Sequence, residues 1–155
     1  HHGLDYRQQK TRQGNDMTNT ATGGCLCGDV TYSFDRDQVV SSHHCHCTDC
    51  QKSTGSGKAT IVFVPSAAVD MKGDLKTYTV EGTAGSHVKR GFCGKCGSPL
   101  VSFIEENPGL TIVKAGSLSD SSWVKVASSF WSDSAQSWSP VDPTCDSVPQ
   151  NPAMG

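Results

Sequence analysis

No apolar run in this sequence approaches the roughly 20 residues that span a bilayer, and no charged-then-apolar leader follows Met17. Both absences argue against a membrane or exported protein and lead to the expectation of a cytoplasmic one. Charge of one sign is scarce too. Charged residues make up 18% of the chain, the formal net charge is −2, and no Lys/Arg cluster interrupts it. That excludes the electrostatic footprint of a nucleic-acid or anionic-membrane binder, so the expected partner is a small molecule, and a homodimer is the expected assembly. Internal repeats of about 20–50 residues are missing, which excludes solenoids and propellers. Hydrophobic residues, 35% of 155, suffice for one globular domain but make a modest core.

The opening HHGLDYRQQKTRQGND (1–16) reads as the remnant of an affinity tag and linker, because two histidines lead a polar run just before Met17. Residues 17–155 then form a single domain. Its last part, 140–155, carries Pro140, Pro143, Pro149 and Pro152 and reads as an extended surface tail that cannot join a ladder.

Turn residues punctuate the chain, and the segments between them are short and β-prone. DVTYSF (29–34) and LKTYTV (75–80) alternate, and ATIVFV (59–64) is continuously apolar. HVKRGFC (87–93), PLVSFI (99–104), LTIVKAGSL (110–118) and WVKVASSFW (123–131) are each bounded by turn formers. Only CTDCQKST (47–54) and PSAAVDM (65–71), where Pro65 can set a first turn, hint at helix. The expected fold class is mainly β, a small single domain of several short antiparallel sheets, with little helix.

What the chain has in abundance is cysteine, eight in all. A disulfide scaffold would spread them to close loops. Here seven fall into tight groups: Cys25 with Cys27, Cys45 with Cys47 and Cys50, and Cys93 with Cys96. Such clusters chelate. Cys145 stands alone and reads as incidental. Structural zinc takes four protein ligands, whereas catalytic zinc keeps three and leaves a position open. Seven is four plus three. CGKC followed by Gly97 is a zinc knuckle. The cysteines of CLC, on an extended strand, would point the same way and join Cys93 and Cys96 in a closed site. Cys45, Cys47 and Cys50 would wrap a second ion from one loop.

GGCLCGDVTY, CHCTDCQKSTGS, FCGKCGSPL and VKAGSL, followed by FWSDSAQSW, together resemble the glutathione-dependent formaldehyde-activating enzyme (GFA) family over about residues 23–138. The resemblance implies a mostly β fold around two zinc ions per chain, making 17–155 one GFA-like zinc domain. Cys25, Cys27, Cys93 and Cys96 carry over as structural ligands, and Cys45, Cys47 and Cys50 as the catalytic three. It also implies reversible addition of glutathione to formaldehyde, which makes the protein formally a carbon–sulfur lyase whose substrate is a glutathione adduct.

Around such a centre Gln51, Ser53 and Thr54 are placed to line a pocket, and the amides of TGSG (54–57) to meet an oxyanion. His46, between two ligands, should point away from the metal and lie exposed or behind a ligand. Trp131 and Trp138 serve either as pocket wall or as core, and Lys114 either meets a substrate carboxylate or faces water. The scarcity of clustered cations leaves room for another small electrophile, an imine or a different thiol adduct. Two rivals remain. One is a non-catalytic zinc module, in which His43, His44 or His46 completes a second structural site. The other is a redox sensor built on exposed thiolates. A fourth protein ligand at the Cys45–Cys47–Cys50 site would favour the module.

Overall fold

A computed structural model describes residues 19–152, so the tag-like segment 1–16 lies outside the described residues. The organising strand is the continuously apolar one. Ala59–Pro65 (β4) runs through the middle of an eight-stranded sheet and is buried on both faces, which is why its sequence does not alternate. Val62 and Val64 face a cluster that includes Leu100, Val101, Val113, Val30, Tyr32 and Phe34. Ala59, Ile61 and Phe63 face the opposite way, onto Cys45, Cys50, Ile112 and Phe130. One strand thereby joins two hydrophobic clusters, each bordering one cysteine group.

The strands around it are Ser41–Cys45 (β3), Leu75–Glu81 (β6), His87–Cys93 (β7), Pro99–Ile104 (β8), Asn107–Lys114 (β9), Ser128–Phe130 (β10) and Asp146–Ser147 (β11). Their order is β11-β10-β3-β4-β9-β8-β7-β6. Thr20–Gly24 (β1), Thr31–Asp35 (β2) and Asp70–Lys72 (β5) form a second, three-stranded antiparallel sheet. Its Ala21, Tyr32 and Phe34 pack on the first cluster. The seven residues Thr48–Thr54 form the one α-helix (α1) among the described residues. β6 is the exposed edge of the large sheet, and the exposed charge of Lys76 on it guards against edge pairing.

The fold is mainly β, as the pattern of short strands predicts, and it differs from that reading in five places. The large sheet is not wholly antiparallel, because β10 pairs in parallel with β3 and with β11. The Pro-rich tail does enter a ladder. Asp146 and Ser147 lie between Pro143 and Pro149, so they keep their amides and add an edge strand. Histidines hid β3, whose Ser42 and Cys45 are buried while His43 and His44 tuck their rings against neighbours. WVKVASSFW yields a strand only over Ser128–Phe130, and PSAAVDM yields a single 3-10 turn, Ser66–Ala68, before β5 begins.

Candidate metal centres

The CLC pair does not sit on an extended strand. Cys25 and Cys27 lie in the turn after β1, where the Cys25 amide donates to Val30 O at 3.0 Å and the Gly28 amide to Cys25 O at 3.1 Å. Gly28 takes φ 84°, a left-handed conformation that glycine adopts without strain. Cys93 ends β7, and Cys96 follows in a matching turn, where the Gly97 amide donates to Cys93 O at 2.8 Å with Gly97 at φ 80°. The Leu26 amide ties the two turns by donating to Ser98 Oγ at 3.0 Å. All four sulfurs lie within 4.8 Å of one another, with Cys25–Cys27 at 3.6 Å and Cys27–Cys93 at 3.7 Å.

Those spacings suit a tetrahedral ion, since four sulfurs about 2.3 Å from zinc stand about 3.8 Å apart. Backbone amides also aim at the sulfurs: Val30 N–H at Cys25 at 3.3 Å, and Lys95 N–H and Cys96 N–H at Cys93 at 3.4 and 3.5 Å. Such donors favour thiolate over thiol. The Ser98 hydroxyl and amide are the first causes that hold the Cys96 thiol down at about 5.

The second group forms where β3 ends and α1 begins. Cys45 is the last residue of β3, Cys47 caps α1 by accepting the Cys50 amide on its sulfur at 3.2 Å, and Cys50 lies in the first turn. Their sulfurs also lie within 4.8 Å of one another. Cys45 and Cys50 are buried and Cys47 is half-buried. As bare thiols the three share protons. Hydrogen bonds from the Cys45 and Cys47 thiols, and then the charges of Lys114 and Arg90, push Cys50 far down. Hydrogen bonds with Cys47 and Cys50, together with burial, push Cys45 up. A dication would let all three ionise.

Among the described residues no histidine, carboxylate or further cysteine joins these three. His43 bonds instead to Ser128 Oγ at 2.7 Å and Ser41 Oγ at 2.8 Å and stacks on Phe130. His44 bonds to Thr60 Oγ1 at 2.9 Å. His46 is neither exposed nor aimed at the thiols: it is fully buried, and neither ring nitrogen has a partner. Burial is the first cause that lowers its pKa, with the Lys58 charge adding to it.

Gln51, Ser53 and Thr54 hold the loop. Gln51 Nε2 donates to His46 O at 2.8 Å and to Ser134 O at 2.9 Å, fastening the ligand loop to the 3-10 turn Ser132–Ser134. Ser53 and Thr54 hydroxyls donate to Cys50 O at 3.2 and 2.8 Å. Thr54 also lines a cavity of about 820 Å³ that runs from Cys25, Leu26 and Ser98 at one cysteine group to Lys58, Ala59 and Lys114 beside the other. No aspartate or glutamate lines it.

Lys114 is the residue whose role the sequence left most open, and it does not face water. The last residue of β9, it is only 8% exposed; burial lowers its pKa and Arg90 adds to that, while the Cys50, Cys45 and Cys47 thiolates pull it back up. Sequence reasoning missed Arg90 altogether. It lies on β7 and reaches Ser53 Oγ with Nη1 at 3.3 Å, and no motif in HVKRGFC marks it, since its place opposite buried Ser102 is set by strand pairing. Neither tryptophan walls the cavity. Trp131 packs beside the Cys45 cluster and donates its indole N–H to Asn151 at 2.7 Å, whereas Trp138 is 67% exposed and sits over Gly57. Cys145 is half-buried, 3.9 Å from Ser129 Oγ, and joins neither group.

Residues 20–134 match the family model described as glutathione-dependent formaldehyde-activating enzyme. Among solved structures, the crystal structure of a Rhodobacter sphaeroides protein superposes with a TM-score of 0.50 at 22% identity, covering 63% of this chain and 87% of that one. That likeness is one of fold. No curated protein matches the chain.

Proposed function

Because the chain belongs to the glutathione-dependent formaldehyde-activating enzyme family, we propose that it is a zinc-dependent carbon–sulfur lyase that joins a thiol to formaldehyde or a similarly small aldehyde. One observation carries the reading. Three thiols converge without a fourth protein ligand among the described residues, one of them half-buried, and they interact with Lys114, which in turn lines a large cavity. Four thiols close the other site, so the two groups divide as structural and catalytic zinc sites divide.

Cys45, Cys47 and Cys50 would hold the catalytic ion, and Cys25, Cys27, Cys93 and Cys96 the structural one. Zinc in the open site supplies a Lewis acid that lowers a thiol pKa or polarises a carbonyl. The chain's own residues do the rest. Gln51 and the Ser53 and Thr54 hydroxyls fix the ligand loop, so that the three sulfurs keep one geometry. Lys58 and Lys114 give the cavity a positive wall with no opposing carboxylate, which suits an anionic thiol such as glutathione. The sequence points to Lys114 as a candidate for meeting a substrate carboxylate, but not to Lys58. In the reaction the thiol sulfur bonds to the carbonyl carbon, the C=O π pair moves to oxygen, and the thiol proton ends on the new hydroxyl; the reverse restores both.

Exchange NMR of formaldehyde with glutathione tests this directly. Zinc-loaded protein should speed interconversion of free formaldehyde and its thiol adduct well above the uncatalysed rate, and Cys50→Ser should return it to that rate. Protein with two bound zinc ions that accelerates the exchange with none of glutathione, cysteine or 2-mercaptoethanol would remove the proposal.

A further inference from the structure

The large sheet sets a row of polar side chains on the face that carries the three thiols. Cys45 pairs with Ala59, Ile61 with Lys114, Ile112 with Ser102, and Ser102 with Arg90, so strands β3, β4, β9, β8 and β7 contribute in turn. Along an antiparallel pair, directly opposed residues share a face. Lys114 is nine-tenths buried, and Arg90 Nε and Ser102 Oγ are buried without a hydrogen-bond partner. Neither cation forms an ion pair with a described carboxylate. Arg90 is held through Ser53, on the helix that presents Cys50. Lys114 has thus been brought out of water on the face that carries the three thiols, and the half-buried Arg90 keeps its Nε out of water on the same face, with no carboxylate to neutralise either.

A buried charge is costly unless it is paired. A divalent ion held by three thiolates carries one net negative charge, and Lys114 and Arg90 add two positive ones. A neutral fourth ligand therefore leaves the cluster with a net charge of +1 centred on the buried Lys114, whereas an anionic one brings it to neutrality. We propose that Lys114 and Arg90 are specificity-determining residues that make the three-cysteine centre select an anionic fourth ligand, a thiolate, over a neutral one. With a dication held by Cys45, Cys47 and Cys50, a thiol that bound there would give its proton to solvent and stay as thiolate, so the step balances. Lys114 acts from the last position of β9, where it also lines the cavity. Arg90 acts from the far side of the row, and its bond to Ser53 also keeps Cys50 in register with it.

This inference rests on reading the trio as an open metal site, and its test needs no aldehyde and no turnover. Protein loaded with cobalt(II) is titrated with 2-mercaptoethanol and, separately, with imidazole as a neutral ligand, following the sulfur-to-cobalt charge-transfer and ligand-field absorption bands. Replacing Lys114→Met should weaken 2-mercaptoethanol binding about tenfold or more while moving imidazole affinity less than about threefold, the size expected for one unit charge a few ångströms away. Lys114→Arg should restore thiol affinity. If Lys114→Met does not fold, Arg90→Gln carries the same contrast from a different strand. Equal losses for both ligands, or none for either, would overturn the assignment even in an active lyase. An inactive protein that still shows the contrast would leave it standing and count against the lyase reading alone.

Discussion

Cys93→Ser and Cys50→Ser remove one sulfur each, yet the structure predicts very different outcomes. Cys93 is 1% exposed, and its sulfur meets that of Cys27 across 66 residues of chain. Treated as a cross-link, closing a loop of that length removes about 4 kcal/mol of unfolded-state entropy, a large part of the roughly 5–15 kcal/mol of a typical domain. Cys50 is tied to Cys47 and Cys45 within one loop, and the same relation gives only about 2 kcal/mol for a loop of about five residues. At about 4 °C per kcal/mol for a chain of this size, Cys93→Ser should lower Tm by about 15 °C or more, and Cys50→Ser by about 8 °C or less. Circular-dichroism melts, run beside metal analysis, read both quantities. Each variant should lose about one of two equivalents of zinc, but from different sites. If Cys50→Ser melts as low as Cys93→Ser, the division into a fold-closing site and a local one is wrong.

Other perturbations probe the supports of the site. Gln51→Ala breaks the hydrogen bonds donated to His46 O and Ser134 O and the one accepted from Gln136 Nε2; it should cost about 1–3 kcal/mol in urea unfolding and speed metal loss from the trio to a chelator, leaving the four-cysteine site loaded. Gly23→Ala would bring a methyl within 2.3 Å of the Tyr32 ring and 2.7 Å of Ser117 O; it should destabilise by about 1–3 kcal/mol in the same assay, as overpacking does, and a neutral result would mean that the β1–β2 packing yields easily. His87 pairs with Glu106 at 2.6 Å, which raises the His87 pKa and lowers that of Glu106. The raised histidine stabilises the fold fully below its unfolded pKa near 6.5, and this contribution fades as pH rises through the folded value. The lowered glutamate contributes above its unfolded pKa, and loses that contribution as pH falls through its folded one. The stability gap between wild type and His87→Gln should therefore be widest in mildly acidic solution and close toward pH 9. A gap constant from pH 5 to 9 would refute the pairing.

Much of this molecule is legible in its residues because the signals are local. ATIVFV announces a strand buried on both faces, and β4 is one. CGKC and CHCTDC place thiols close together whatever the fold does around them, and their sulfurs do converge. The readings that failed depended on neighbours distant in sequence. β3 is masked by histidines whose rings are satisfied by Ser128, Ser41 and Thr60. The tail strand β11 exists only because β10 offers it an edge. No periodicity around VKAG tells whether its lysine faces water or sulfur.

By itself, then, the sequence determined which atoms can bind metal and how many belong to each short group, because a chelating loop of six residues is fixed by its own spacing. Only the tertiary structure decided which distant pair completes the set of four, and that the histidines beside the set of three are spent elsewhere. It also carried Lys114 and Arg90, from separate strands, to the remaining thiols. The physical reason is that strand pairing sets which side chains share a face, and burial then turns an ordinary surface cation into one that must find an anion.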